Sequence, residues 1–245
     1  MIYLYSGTPG SGKSYHAVAD IYYRLKKKRG FCNVIANFPV KVPQGQEHFT
    51  YMDNSDMTTK NLMIYAAKHH KLGIEGQTLV VVDEAQIIFN SRSWNGDGSG
   101  RMDWIKFFSQ HRKLGFNFIL IAQFDRMLDR QIRCLIEYEI AHMKINNYFR
   151  IIPITVFLAV TRWYGQKMKL THDVMLYRKR IAALYDTFAM FDGQEPLALG
   201  DTGAPNVTVA PAPVKQKSCD IKEIHHSENL SKNDSAAPDQ EQISN

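Results

Sequence analysis

The chain has 245 residues, 44% of them hydrophobic and 11% aromatic, enough to bury a sizeable core and to exclude a wholly disordered protein. Its formal net charge is +6, yet residues 194–245 hold four lysines against eight acids, so residues 1–193 carry +10. A body that basic points to a polyanionic partner, nucleic acid or anionic lipid, without choosing between them.

The elements follow in chain order. Ile2–Tyr5 reads as a short apolar strand and runs directly into Gly7-Thr8-Pro9-Gly10-Ser11-Gly12-Lys13-Ser14. Residues 14–28 read as a helix with Ala17, Val18, Ile21 and Leu25 on one face. Its end, Arg24 to Arg29, has five basic residues in six, a pattern that either complements a helix C-terminus or holds a nucleic-acid backbone. Val34–Ala36 is a second strand, and a helix is predicted near 57–71. Thr78–Val82 is β-branched and apolar on both faces, as a central parallel strand should be, and ends at Asp83-Glu84. Residues 90–100, rich in Gly, Ser, Asn and Asp around Trp94, read as a mobile loop. A helix near 102–114 precedes a buried strand from Phe116 to Ala122, followed by Gln123. From about residue 132 extended runs (132–145, 150–163, 167–177) suggest antiparallel strands added at one sheet edge.

The last stretch differs in kind. Every Phe, Tyr and Trp lies at or before Phe191, while Pro196, Pro205, Pro211, Pro213 and Pro238 all follow Gly193. Such a segment cannot bury enough apolar surface to offset its ordering entropy, so 194–245 is expected to be a disordered acidic tail behind one domain at 1–193. Cys32, Cys134 and Cys219 have no zinc or redox spacing, and the nine histidines match no metal pattern. The N-terminus leaves no room for a signal peptide before the first motif. The longest apolar run, Ile151 to Val160, is too short to span a bilayer, which takes about twenty residues.

Two motifs carry chemistry. Gly7 to Ser14 fits G-x-x-x-x-G-K-[ST] with a strand before and a helix after, the arrangement that turns successive N–H groups onto phosphate oxygens. The nucleotide-binding stretch is Gly7, Thr8, Pro9, Gly10, Ser11, Gly12, Lys13, Ser14 and Tyr15. Lys13 is placed to meet the β- and γ-phosphates, and the Ser14 hydroxyl to bind Mg²⁺. A buried strand ending in Asp83-Glu84 supplies the partner: Asp83 for the metal, Glu84 to orient or deprotonate water. Together they favour ATP hydrolysis. Gln123 ends the next strand at the same sheet edge, as a γ-phosphate sensor or a plain strand terminus. Arg92, Arg112, Arg126, Arg130 and Arg133 lie on segments near that edge, and one of them could complete a neighbouring subunit's site. Strands alternating with helices make the fold class α/β: a three-layer α/β/α nucleoside-triphosphatase with a mainly parallel sheet.

These residues resemble a known family. Gly7 to Ser14, Val82-Asp83-Glu84-Ala85-Gln86 with Phe89 and Arg92, His111-Arg112-Lys113-Leu114-Gly115-Phe116 leading to Ile121-Ala122-Gln123, and Leu184-Tyr185-Asp186-Thr187 are similar to the Zot family. That family comprises the N-terminal domain of zonular occludens toxin and the gene I assembly ATPases of filamentous bacteriophages, with the FtsK/HerA ATPases as wider relatives. The resemblance spans about residues 1–190. It implies an oligomeric ATPase using ATP and Mg²⁺ to drive virion assembly and extrusion, working with phage coat and assembly proteins and with single-stranded DNA. Its expected place is the host cytoplasm, at the inner face of the inner membrane. It also implies a catalytic set of Lys13, Glu84 and Gln123, with Arg112 or Arg133 acting in trans. Family members usually carry a membrane-spanning helix after this domain. Here a polar tail follows, so membrane contact is expected through partners or the basic surface. Packaging of DNA into a preformed capsid, or ATP binding without turnover by an assembly adaptor, are the alternatives.

Overall fold

The computed structural model describes residues 1–27, 30, 32–42, 45–90, 99–145, 155–166 and 168–185. The expected tail, Trp94 and Arg92 lie outside them. The strands are β1 (Ile2–Ser6), β2 (Asn33–Ala36), β3 (Phe49–Tyr51), β4 (Thr78–Val82), β5 (Phe116–Ile121), β6 (Tyr138–Ile145), β7 (Val156–Trp163) and β8 (Lys169–Leu176). The helices are α1 (Lys13–Leu25), α2 (Thr59–His69), α3 (Ser99–Gln110) and the single turns α4 (Arg130–Arg133) and α5 (Lys179–Ala182).

All eight strands form one sheet in the order β3-β2-β4-β5-β1-β6-β7-β8. The pairings from β3 across to β6 are parallel, and β7 and β8 are added antiparallel. Every residue of β4 is buried, because helices cover both of its faces. On one face Ala17, Val18, Ile21 and Leu25 of α1 pack with Val81, Ile119 and Ile121. On the other, Leu62 of α2 and Trp104, Phe107 and Phe108 of α3 pack with Val80, Phe118 and Leu120. The fold is three-layer α/β/α, as the alternation of elements predicts.

Three details depart from the sequence reading. β3 was hidden in a polar loop; it is three residues long and half exposed. The run expected to be extended from about 132 becomes a strand only at Tyr138; its first residues close the helical turn Arg130–Arg133, because the Asp129 carboxylate accepts from the N–H groups of Gln131 (2.8 Å) and Ile132 (3.4 Å) and so caps it. β6 is antiparallel to β7 as expected, but parallel to β1, so the parallel part of the sheet extends one strand further than the pattern suggests. Of the basic run at the end of α1, Arg24 donates to the carbonyls of Gly76 (2.6 Å) and Gln77 (3.2 Å) and holds the entry to β4. Arg24 therefore serves the fold. Lys28 and Arg29 lie outside the described residues.

Candidate active site

The loop between β1 and α1 bends through three glycines with positive φ: Gly7 (140°), Gly10 (74°) and Gly12 (97°). Two of them are also sterically required. A Cβ on Gly7 would lie 2.5 Å from the His142 carbonyl oxygen, and one on Gly12 would lie 2.6 Å from the Phe157 ring. Strands β6 and β7 thus clamp the loop from behind. The Gly7 N–H donates to the Gln123 carbonyl (3.2 Å), which ties the loop to the end of β5. Thr8, Pro9 and Gly10 face solvent at its rim. No side chain caps the N-terminus of α1, so its first N–H groups are turned toward the loop, the setting in which a helix attracts an anion.

Lys13 is buried, and its Nζ donates to the carbonyls of Gly7 (2.8 Å) and Thr8 (3.1 Å). Burial lowers its pKa, while the carboxylates of Glu84 and Asp83 pull it back up. A partly desolvated cation is therefore held at the loop with two neutral carbonyls as its hydrogen-bond partners, which phosphate oxygens can replace.

Asp83 follows β4 and is buried. Asn37, just past β2, fixes its backbone: the Asp83 N–H donates to Asn37 Oδ1 (2.7 Å) and Asn37 Nδ2 donates to the Asp83 carbonyl (2.8 Å). The carboxylate accepts from the Glu84 N–H (2.9 Å), the Ser14 hydroxyl (3.0 Å) and the Tyr185 hydroxyl (3.4 Å). Burial nonetheless raises its pKa, the hydrogen bonds from Ser14 and Glu84 acting in the other direction. A hard carboxylate and a hydroxyl in contact at the foot of an anion loop form an oxygen donor set suited to Mg²⁺. Among the described residues no group of three or more His, Cys, Asp or Glu is placed to hold a metal. Glu84 is the one described non-glycine residue with positive φ (47°), and its carboxylate accepts from Gln86 Nε2. The left-handed turn takes the chain out of the strand direction at Glu84, whose charge acts on Lys13.

Lys13, Ser14, Asp83 and Glu84 therefore meet at one end of the sheet, with Gln123 beside them. Gln123 lines a cleft of about 410 Å³ with Gly7, Thr8 and Glu139, and Glu139 accepts from the Ser6 hydroxyl (2.6 Å). Arg112 does not join them. It precedes β5, so it sits at the opposite end of the sheet, bound to Glu137 beside the N-terminal ammonium. The expectation that Arg112 flanks the site edge is thus corrected: the site lies where the strands end, and Arg112 where one begins. Arg133 lies in α4 with its guanidinium 3.9 Å from Asp125. Arg126 is exposed on the turn just after Gln123, and Arg130 is exposed at the start of α4.

Two features were missed in the sequence. Tyr15 faces away from the loop: its hydroxyl donates to the Leu176 carbonyl (3.0 Å) and accepts from the Arg178 N–H (2.9 Å). With Phe157, Tyr177, Ile181 and Tyr185 it lines a cavity of about 250 Å³ that opens onto Gly12 and Ser14. Of these Tyr15 had a signal as the residue after the motif and Tyr185 in the Leu184-Tyr185 step, while Phe157, Tyr177 and Ile181 had none. Beneath the loop, His16 Nδ1 and His142 Nε2 are 2.8 Å apart, and the His142 Nδ1 reaches the Ser6 carbonyl (3.3 Å). Burial, with His16 adding to it, pushes the His142 pKa down to about 3, so this ring is neutral.

A phosphate loop closed by Lys13, a facing acid at the end of a parallel strand one place beyond β1's neighbour β5, and helices on both sheet faces define a P-loop nucleoside-triphosphatase fold. The chain belongs to the zonular occludens toxin (Zot) family, whose model matches residues 1–194. Among solved structures it is similar to the N-terminal domain of zonular occludens toxin from Neisseria meningitidis, at 21% identity over 76% of this chain and 98% of that one, with a TM-score of 0.48. It is also similar to a KaiC-like protein from Pyrococcus horikoshii OT3 (13% identity, 72% and 89% covered, TM-score 0.46). A third is the genome-packaging NTPase of Sulfolobus turreted icosahedral virus 2 in complex with AMPPCP (14%, 71% and 95%, TM-score 0.45). No sequence among the curated proteins matches the chain significantly.

Proposed function

We propose that the chain hydrolyses ATP with Mg²⁺ and that this hydrolysis drives assembly and export of a filamentous phage at the host inner membrane. The observation that carries the proposal is the Ser14–Asp83 contact at the foot of the loop, which makes Lys13, Ser14, Asp83 and Glu84 one constellation. Lys13 leaves the Gly7 and Thr8 carbonyls for the β- and γ-phosphates. Ser14 and Asp83 would hold the magnesium, which when bound would supply neutralisation of the phosphate charge. Glu84 orients and deprotonates the attacking water, and its acceptance from Gln86 keeps the carboxylate in one position. Gln123 shares a backbone hydrogen bond with Gly7, so a change at the γ-phosphate reaches the end of β5.

The chain works as a homo-oligomer in which an arginine of a neighbouring subunit reaches the site; Arg126 and Arg133, near Gln123, are better placed for contact at that edge than Arg112. Membership of the Zot family supports the link to a phage. No helix among the described residues is long and apolar enough to cross a membrane. The working place is the cytoplasmic face of the inner membrane, reached through coat and assembly proteins or through the basic body. Single-stranded phage DNA is a further partner. The test is complementation: phage yield from cells supplied with Glu84→Gln in place of the native chain. A motor loses yield with turnover, whereas an adaptor that only binds ATP keeps it.

A further inference from the structure

The cavity beside the loop is walled by the start of α1 and by side chains of β7, of the segment after β8 and of α5. One wall is Tyr15 at the start of α1; the others are Phe157 of β7, Tyr177 after β8, and Ile181 and Tyr185 in and after α5. The rings hold one another in place. Tyr15 lies 5.5 Å from Phe157 and 5.6 Å from Tyr177 between centroids, tilted by 38° and 31°. Tyr185 packs edge-on against Phe38 at 5.1 Å. At about 250 Å³ the space is a little under that of a whole drug-sized ligand, about 300–1,000 Å³, and suits one aromatic ring system. It opens directly onto Gly10, Gly12, Lys13 and Ser14.

We propose that this cavity takes the base of the bound nucleotide and reads it by stacking and shape, so that ATP and GTP bind alike. The proposal rests on the reading that a triphosphate occupies the loop. Its second part follows from the lining. Lys13 is the one charged residue on the described walls, and it belongs to the phosphate end. The Tyr15 hydroxyl already donates to the Leu176 carbonyl and accepts from the Arg178 N–H, and the Tyr185 hydroxyl donates to Asp83. The Ser14 hydroxyl donates to Asp83 as well, which leaves the Tyr177 hydroxyl, without a partner among the described residues; as both donor and acceptor it fits the edge of adenine or of guanine. A pocket of rings and methyls rejects a similar-sized ring only weakly, by about a hundredfold at most, whereas a pocket that hydrogen-bonds its ligand rejects by roughly 10⁴ or more.

The experiment is calorimetric titration of the full chain with Mg²⁺ and ATP, GTP or inorganic tripolyphosphate. ATP and GTP are expected to bind within about tenfold of each other and both more tightly than tripolyphosphate. Tyr177 is 45% exposed, so its truncation spares the core. Tyr177→Ala is expected to weaken ATP and GTP together by about tenfold, as loss of a base–aromatic stack does, and to leave tripolyphosphate unchanged. Tyr177→Trp is expected to restore both. ATP binding no tighter than tripolyphosphate, a preference beyond about a hundredfold for one nucleotide, or equal weakening of all three by Tyr177→Ala would overturn the proposal. If tripolyphosphate binds and the base adds nothing, the cavity is refuted and the loop reading stands. If wild-type chain binds none of the three, both fall.

Discussion

The Ser14 hydroxyl donates to the Asp83 carboxylate across 3.0 Å, joining the first turn of α1 to the end of β4 over 69 positions of sequence. The contact exists because β4 lies between β2 and β5 in a parallel sheet, so its end and that of β1 open on the same side. The acid is buried to make it, and that has a cost in stability. Burial raises the Asp83 pKa above the ordinary 3.8, so its contribution to folding is fully present below 3.8 and is lost as pH rises through the raised value. Asp83→Asn removes that burden. The variant is expected to be more stable than the native chain at neutral pH by about 1 kcal/mol, and to lose Mg²⁺-dependent nucleotide binding. Thermal unfolding and titration with nucleotide check the two halves separately.

The loop glycines differ in what they require. At Gly12 a methyl group meets both a positive φ and the Phe157 ring at 2.6 Å; at Gly10 it meets only the φ, with nothing within 4 Å. Gly12→Ala is expected to cost about 3 kcal/mol and to abolish nucleotide binding, through strain and overpacking together. Gly10→Ala is expected to cost about 1 kcal/mol. Equal losses from the two substitutions in denaturant melts would show that Phe157 does not clamp the loop.

Acid should loosen the support beneath the loop. The His142 pKa is about 3 in the fold, against 6.5 when exposed, with His16, Lys13 and, through Tyr5 and His16, Asp20 around it. A depressed value means stability that is full above about 6.5 and is lost as pH falls toward 3. Between pH 7 and pH 5 the loss from this one group is at most about 2 kcal/mol. His70 and His111 are shifted the same way, so part of the slope persists without it. His142→Gln is expected to flatten the pH dependence of the melting temperature over that range; an unchanged slope would place the acid sensitivity elsewhere.

Polyanion binding has its own signature. If the +10 body contacts single-stranded DNA, added DNA raises the hydrolysis rate at low salt and the effect falls steeply as salt is raised, because phosphate contacts release counterions. A rate indifferent to DNA at low salt would leave the positive charge to another polyanion.

Local pattern made most of the sheet legible. The β-branched run Thr78–Val82 could only be a central strand, and Ala17, Val18, Ile21 and Leu25 could only be an inner helix face. The loop and its facing acid followed from motif and strand polarity. Strand polarity also explains the misplaced Arg112: nearness in sequence to β5 says nothing unless one asks which end of the strand the residue adjoins. The aromatic cavity was illegible for a different reason. Tyr15 meets Leu176 across 161 positions, and no periodicity within β7, β8 or α5 marks Phe157 or Tyr177 as lining a shared cavity. The direction of β6 was equally hidden, since alternating burial looks the same in parallel and antiparallel pairs.

The most direct measurement is phosphate release from ATP by purified Glu84→Gln beside the native chain, with nucleotide binding followed in the same samples. Glu84→Gln is expected to keep its ATP affinity within a few-fold and to lose turnover by about a hundredfold or more, the contribution of a positioned general base. Turnover that survived the substitution undiminished would contradict the account, for then the acid beside Asp83 would not act on water at all.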